Sequence, residues 1–147
     1  MKIAIVAGMY NKEIVGNLVT GATLCYEHHF GKPKDDYLIY KVPGAFEIPS
    51  FVKQLLLNDV DIFDAVITLG CIIKGETAHF EYISEAVSNA IMKLSLENSD
   101  NIPILFGVLT TYNKEQALNR SKLDKTNKGY EVMNAAIEMV DSINKLN

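Results

Sequence analysis

Four short runs rich in β-branched residues, each followed by a stretch of helical periodicity, constrain this chain more than any other feature. The runs are KIAIVAG (residues 2–8), YLIYKVP (37–43), DAVITLGCII (64–73) and IPILFGVLT (102–110). Their length and their Ile/Val content mark buried strands rather than helices. After the first, Ile14, Leu18, Ala22 and Cys25, with Val15 and Val19 beside them, recur at helical spacing up to a stop at Gly31 and Pro33. Residues 46–58 predict a second helix, which confines Pro49 to its first turn, where a missing N–H costs nothing. Phe80, Ile83, Val87, Ile91 and Leu94 share one face of a third helix, with His79 in its first turn. Beyond the fourth run, residues 114–120 predict a short helix, and Val132, Ala136, Met139, Val140 and Ile143 a long last one.

The order β-α-β-α-β-α-β-α-α requires right-handed crossovers between parallel strands, with helices on both faces. The expectation is an α/β fold: a flavodoxin-like doubly wound sheet of four parallel strands, order 2-1-3-4. At 147 residues the chain fits one domain, residues 1–147, and a 48% hydrophobic composition without repeats suits one packed interior. Net charge is −4 and the 14 basic residues are scattered, which gives no footprint for nucleic acid or an anionic membrane. The longest apolar run, near residues 65–73, falls far short of the ~20 residues a membrane span needs. Met1 and Lys2 lead straight into a strand, so no signal peptide is expected and the location is expected to be cytoplasmic. Cys25 and Cys71 form no CxxC, and two reduced thiols are expected rather than a disulfide or a metal site.

In an open parallel sheet ligands bind beyond the carboxyl ends of the strands, next to the point where strand order reverses. Those ends carry Tyr10 and Asn11, then VPGAFEIP (residues 42–49), GCIIKGETAHFEY (70–82) and Phe106 through Thr111. At Gly75, Glu76 and Thr77 a turn opens a helix whose free N–H groups favour an anion, a phosphate or carboxylate; alternatively Thr77 or Glu76 only caps the helix. His79, in that first turn, either packs on Phe80 or Tyr82 or serves in proton transfer near neutral pH. Phe46 is either core or, with Tyr10 as a second wall, a stacking plane for a flat polar heterocycle whose edge Glu47 and backbone amides would bind. Arg120 and Lys128 are either solvated or phosphate ligands. His28 and His29 end the first helix as solvated cations without assigned function.

Other doubly wound families lack their signatures here. GMYNKE follows the first strand where a flavodoxin has a Ser/Thr/Gly-rich phosphate loop, and Gly70-Cys71 stands where a receiver domain has its aspartate. Neither GxGxxG nor a P-loop lysine is present. Instead VPGAFEIP, GCIIKGETAHFEY, PILFGVLTT, EQALNR and NKG, in this order and spacing over nearly the whole chain, resemble the 6,7-dimethyl-8-ribityllumazine synthase family.

The resemblance implies condensation of 5-amino-6-(D-ribitylamino)uracil with 3,4-dihydroxy-2-butanone 4-phosphate, without metal or organic cofactor. It implies that Tyr10, Ala45, Phe46 and Glu47, with the backbone of Cys71, Ile72 and Ile73, hold the pyrimidine, and that Phe106 arrives from an adjoining subunit. Glu76, Thr77, Arg120 and Lys128 would hold the butanone phosphate, and His79 would move protons. It further implies a homo-oligomer, a pentamer or a multiple of one, with sites between subunits. Departures from the usual family pattern are Met9 for Arg, Tyr10 for Phe or Trp, Cys71 for Thr and Lys74 for Arg. SKLDKT (residues 121–126) replaces a glycine-containing loop, and a restricted, reshaped loop is expected there. Without the N-terminal extension that many members carry, a closed shell is the less expected of these assemblies. Two other activities compete: an archaeal-type riboflavin synthase, and a flavin- or lumazine-binding scaffold without turnover.

Overall fold

The computed structural model describes residues 1–32, 36–58, 62–98 and 102–146; Pro33, expected to help stop the first helix, lies outside them. The elements run β1 (Ile3–Gly8), α1 (Lys12–Phe30), β2 (Tyr37–Val42), a 3-10 turn (Ala45–Glu47), α2 (Ile48–Asn58), β3 (Ala65–Ile73), α3 (His79–Glu97), β4 (Ile104–Thr111), α4 (Lys114–Arg120) and α5 (Lys128–Asn144). The four strands pair in parallel in the order β2-β1-β3-β4. This is the doubly wound α/β fold expected from the sequence, with Pro49 the second residue of α2. Some boundaries differ: β4 runs from Ile104 to Thr111, and α2 begins at Ile48, because Ala45–Glu47 first makes a single 3-10 turn, closed by Glu47 N–H donating to the Gly44 carbonyl at 3.3 Å.

Alternation along each strand divides the apolar interior in two. Ile3, Ile5 and Ala7 join Ile67, Leu69 and Cys71 beneath α1 and α5, whereas Ala4 and Val6 join Val66 and Ile72 beneath α2 and α3. All six residues of β1 are buried, since the strand is covered on both faces. Each large aliphatic side chain hidden in this way contributes about 1.5–3 kcal/mol.

The α1–α5 contact is close enough to dictate residue type. A Cβ on Gly129 would collide with the Leu18 carbonyl, so α5 crosses α1 backbone against backbone. The neighbouring Asn127, fully buried, caps α5 by accepting from Tyr130 N–H at 3.1 Å, while its amide donates to the carbonyls of Asn17 (3.1 Å) and Ser121 (3.0 Å). Every polar atom of that buried amide is therefore used. Two of the three residues of NKG thus serve packing.

The loop at residues 121–126 needs no glycine. The only non-glycine residue with positive φ among those described is Asn11, so Ser121 and its successors stay in ordinary backbone regions and the expected restriction brings no strain. Ser121 is buried with its hydroxyl on the Leu118 carbonyl, and Asp124 accepts from the Thr126 amide at 2.8 Å and hydroxyl at 2.6 Å. Those bonds hold the Asp124 carboxyl below its usual range.

α3 is covered unequally: only Val87 and Ile91 are buried, while Tyr82, Met92 and Leu96 are largely exposed. No described helix is long and apolar enough to cross a membrane.

Candidate active site

The carboxyl end of the sheet is drawn together by backbone. Met9 and Tyr10 donate to the carbonyls of Val42 and Pro43, both at 2.9 Å, continuing the β1–β2 ladder past the strands. A Cβ on Gly8 would lie 2.6 Å from the Gly44 carbonyl carbon, so this approach excludes any larger residue there. Asn11 then takes a left-handed conformation (φ 62°, ψ 54°) at the start of α1, and its side-chain amide donates to the Cys71 carbonyl at 3.1 Å. Asparagine suits that backbone and supplies that bond, which locks the ends of β1 and β3 together. It is a supporting residue that the sequence reading left without a role, and the N-cap signal does not point to it, since the side chain makes no capping bond to α1.

These contacts shape an open cavity of about 530 Å³. It is lined by Tyr10, Ala45, Phe46 and Glu47, by Cys71, Ile72 and Ile73 at the end of β3, and by His79 and Ile83 of α3. Phe46 is 57% exposed and Tyr10 76%, so neither is core: two aromatic faces stand in solvent at the cavity mouth, as a stacking site requires. A second groove of about 510 Å³ continues beyond Phe46, between α2 and α3, lined by Pro49, Ala86 and Ala90.

Burial raises the Cys71 thiol to about 11, and Cys25 likewise. At neutral pH both remain protonated, so Cys71 offers the cavity a wall, not a nucleophile. Among the described residues no group of three or more His, Cys, Asp or Glu could hold a metal ion.

The turn before α3 is sparsely bonded. Ala78 occupies the cap position and no side chain caps the helix there; Thr77 Oγ1 accepts from His79 N–H only at a long 3.4 Å. The capping alternative is therefore weak, and first-turn N–H groups remain for an anion. Glu76 and Thr77 are exposed on this turn and outside the cavity lining. Gly75 has no positive φ, and a Cβ there would meet nothing within 4 Å, so the chain itself does not demand glycine at this point.

Three expected residues lie elsewhere. Phe106, 38% exposed, sits on edge strand β4 between Ile104 and Val108, on the α2/α3 face. Arg120, ending α4, and Lys128, opening α5, meet at Glu131: the guanidinium donates to both carboxylate oxygens at 3.0 Å and the ammonium to one at 3.2 Å. They form a pair of cations around one anion, away from the cavity. His28 and His29 are exposed in the last turn of α1, His28 Nδ1 lying 3.2 Å from the Tyr130 hydroxyl and His29 Nδ1 3.0 Å from the Cys25 carbonyl.

Comparison with known proteins matches residues 1–144 to the family model described as 6,7-dimethyl-8-ribityllumazine synthase. A protein of that name from Clostridium kluyveri is 44% identical over 146 residues, covering 99% of this chain and 92% of the relative. One from Chloroherpeton thalassium is 45% identical over 140 residues, 95% and 87% of the two chains, and one from Chlorobium phaeobacteroides 43% over 141 residues, 96% and 88%.

Proposed function

The chain belongs to the 6,7-dimethyl-8-ribityllumazine synthase family, and from that premise we propose how its residues divide the work of the family's reaction. It is a transferase of riboflavin biosynthesis: it condenses 5-amino-6-(D-ribitylamino)uracil with 3,4-dihydroxy-2-butanone 4-phosphate, releasing phosphate and water. The observation that carries the assignment of roles is the meeting of Tyr10, Phe46, Glu47, the end of β3 and His79 around one cavity.

The pyrimidine stacks against Phe46 and Tyr10, its edge bound by backbone groups of Cys71, Ile72 and Ile73, and Glu47 with the Ala45 backbone takes the ribityl hydroxyls. The butanone phosphate sits on the uncapped start of α3, near Glu76 and Thr77. The amine attacks the ketone; loss of water gives a Schiff base; phosphate leaves as a proton departs the adjacent carbon; the resulting enol tautomerises to a ketone, and the second amine attacks that carbonyl and closes the ring with loss of a second water. Every step shifts protons, and His79, lining the cavity one turn from the phosphate, is placed to move them. Its contribution is ~10²-fold, orientation of the two substrates supplying much of the rest.

Phe106, Arg120 and Lys128 complete the site from a neighbouring subunit in a pentamer or a multiple of one. Their position outside the cavity supports this, as does the exposed apolar surface of α3, which a lone chain would leave in water. The enzyme works in the cytoplasm.

The test supplies purified protein with both substrates and follows lumazine fluorescence together with phosphate release. Turnover well above the spontaneous rate is expected. A rate equal to the spontaneous one would leave only a binding scaffold, and riboflavin formed from lumazine alone would identify a riboflavin synthase.

A further inference from the structure

Between the end of β3 and the third residue of α3 the chain closes on itself. Lys74 Nζ lies 2.8 Å from Glu81 Oε1, an ion pair that brackets residues 75–80, the turn holding Glu76, Thr77 and His79. The same ammonium stands 6.0 Å from the Phe80 ring centroid and 5.9 Å from that of Tyr112, and these two rings are 6.2 Å apart. Its backbone N–H is fixed as well, donating to the Thr111 carbonyl at 2.9 Å. Lys74 is thus attached to the sheet by its main chain, to the end of β4 through Tyr112, and to α3 through Phe80 and Glu81.

Both partners are about half exposed, at 44% and 51%, and such a pair adds little to global stability. Its consequence is local. The bracketed turn has one long side-chain bond, from Thr77, an alanine at the cap, and a glycine with open space around it. With so few contacts of its own, the turn takes its shape from whatever joins its two ends.

We infer that Lys74 is a positioning residue: paired with Glu81 between Phe80 and Tyr112, it holds the turn closed, and so fixes where the phosphate and His79 stand relative to each other. This rests on the proposed phosphate role of the turn. The pyrimidine, gripped by strand ends that Asn11 and the Gly8–Gly44 contact already fix, is indifferent to it. The pair persists through neutral pH, because the Lys74 hydrogen bond lowers the Glu81 carboxyl and the Glu81 hydrogen bond raises the Lys74 ammonium.

The experiment compares Lys74→Ala, Lys74→Arg and the exchange K74E/E81K with the wild type, varying each substrate separately and following amide hydrogen exchange. For Lys74→Ala, KM for the butanone phosphate is expected to rise about fivefold and kcat to fall about threefold, with KM for the pyrimidine unchanged within about twofold. Exchange of the Tyr82 amide, whose bond to the Ala78 carbonyl closes the first turn of α3, should quicken about fivefold, while the rest of α3 keeps its protection. Lys74→Arg should restore both readouts, and the exchanged pair should recover part of each. Unchanged kinetics and exchange in Lys74→Ala would overturn the inference, as would equal losses for both substrates that neither Arg nor the exchanged pair repairs. A wild-type protein without turnover whose exchange still responds to Lys74→Ala would remove the functional reading while leaving the tether intact.

Discussion

The two halves of the proposed site differ in how much of each one chain supplies. The pyrimidine half is complete: Tyr10, Phe46, Glu47, the end of β3 and His79 are gathered around one cavity by backbone bonds that continue the sheet. The phosphate half is divided between the bare start of α3 and, on the other side of the sheet, Arg120 and Lys128 already engaged with Glu131. Strand ends are positioned by the fold itself and can build a rigid wall. Long cationic side chains are not, and here the Glu131 carboxylate holds both in place.

The strongest way to break this contrast is to ask whether the halves belong to different subunits. Arg120→Ala should lose ~10²- to 10³-fold in kcat/KM through the butanone phosphate, since a charge-assisted bidentate contact is removed. Mixing unfolded Arg120→Ala and Glu47→Ala chains and refolding them together should then restore up to about a quarter of wild-type activity, because only junctions with both intact halves work. No recovery would place Arg120 in the same subunit's site or outside it.

His79→Ala tests the join between the halves. A fall of ~10–100-fold in kcat with the pyrimidine KM little changed is expected in steady-state assays, and an unchanged kcat would remove His79 from proton transfer.

A third test concerns the end of β3. Cys71 and Cys25 have thiol pKa values near 11 when folded against 9.0 ordinarily, so between those values the unfolded chain loses protons that the folded one keeps. Stability from this source is complete below pH 9 and lost as pH rises through 11, about 2–3 kcal/mol per thiol in full and about 2 kcal/mol of it by pH 10.5. Urea midpoints at pH 8 and pH 10.5 should show the drop in the wild type and a smaller one in Cys71→Ala.

The smallest effect expected is at Glu131. Glu131→Gln should tighten inhibition by inorganic phosphate about two- to threefold, since Arg120 and Lys128 then face no competing charge. Weaker inhibition would mean that Glu131 chiefly orients the two cations.

Much of this was written in the sequence. Short β-branched apolar runs separated by helical periods determined the strand order, the covered sheet and the rim on which the unusual residues fall, because run length, helical period and crossover handedness are local rules with few global solutions. The separated motifs determined the family. What the sequence left open was settled by contacts between residues far apart in the chain. Whether Phe46 lay in the core or at a cavity mouth depended on one 3-10 turn; Asn11 gained its role only when α1 began beside Cys71, and NKG resolved into a cap and a helix crossing only when α5 met α1. The loop at residues 121–126 read as restricted because missing glycines are visible in sequence and the φ values that make them unnecessary are not. Pattern fixes which face of an element is apolar; only packing decides which polar side chains meet, since that depends on distances no spacing along the chain encodes.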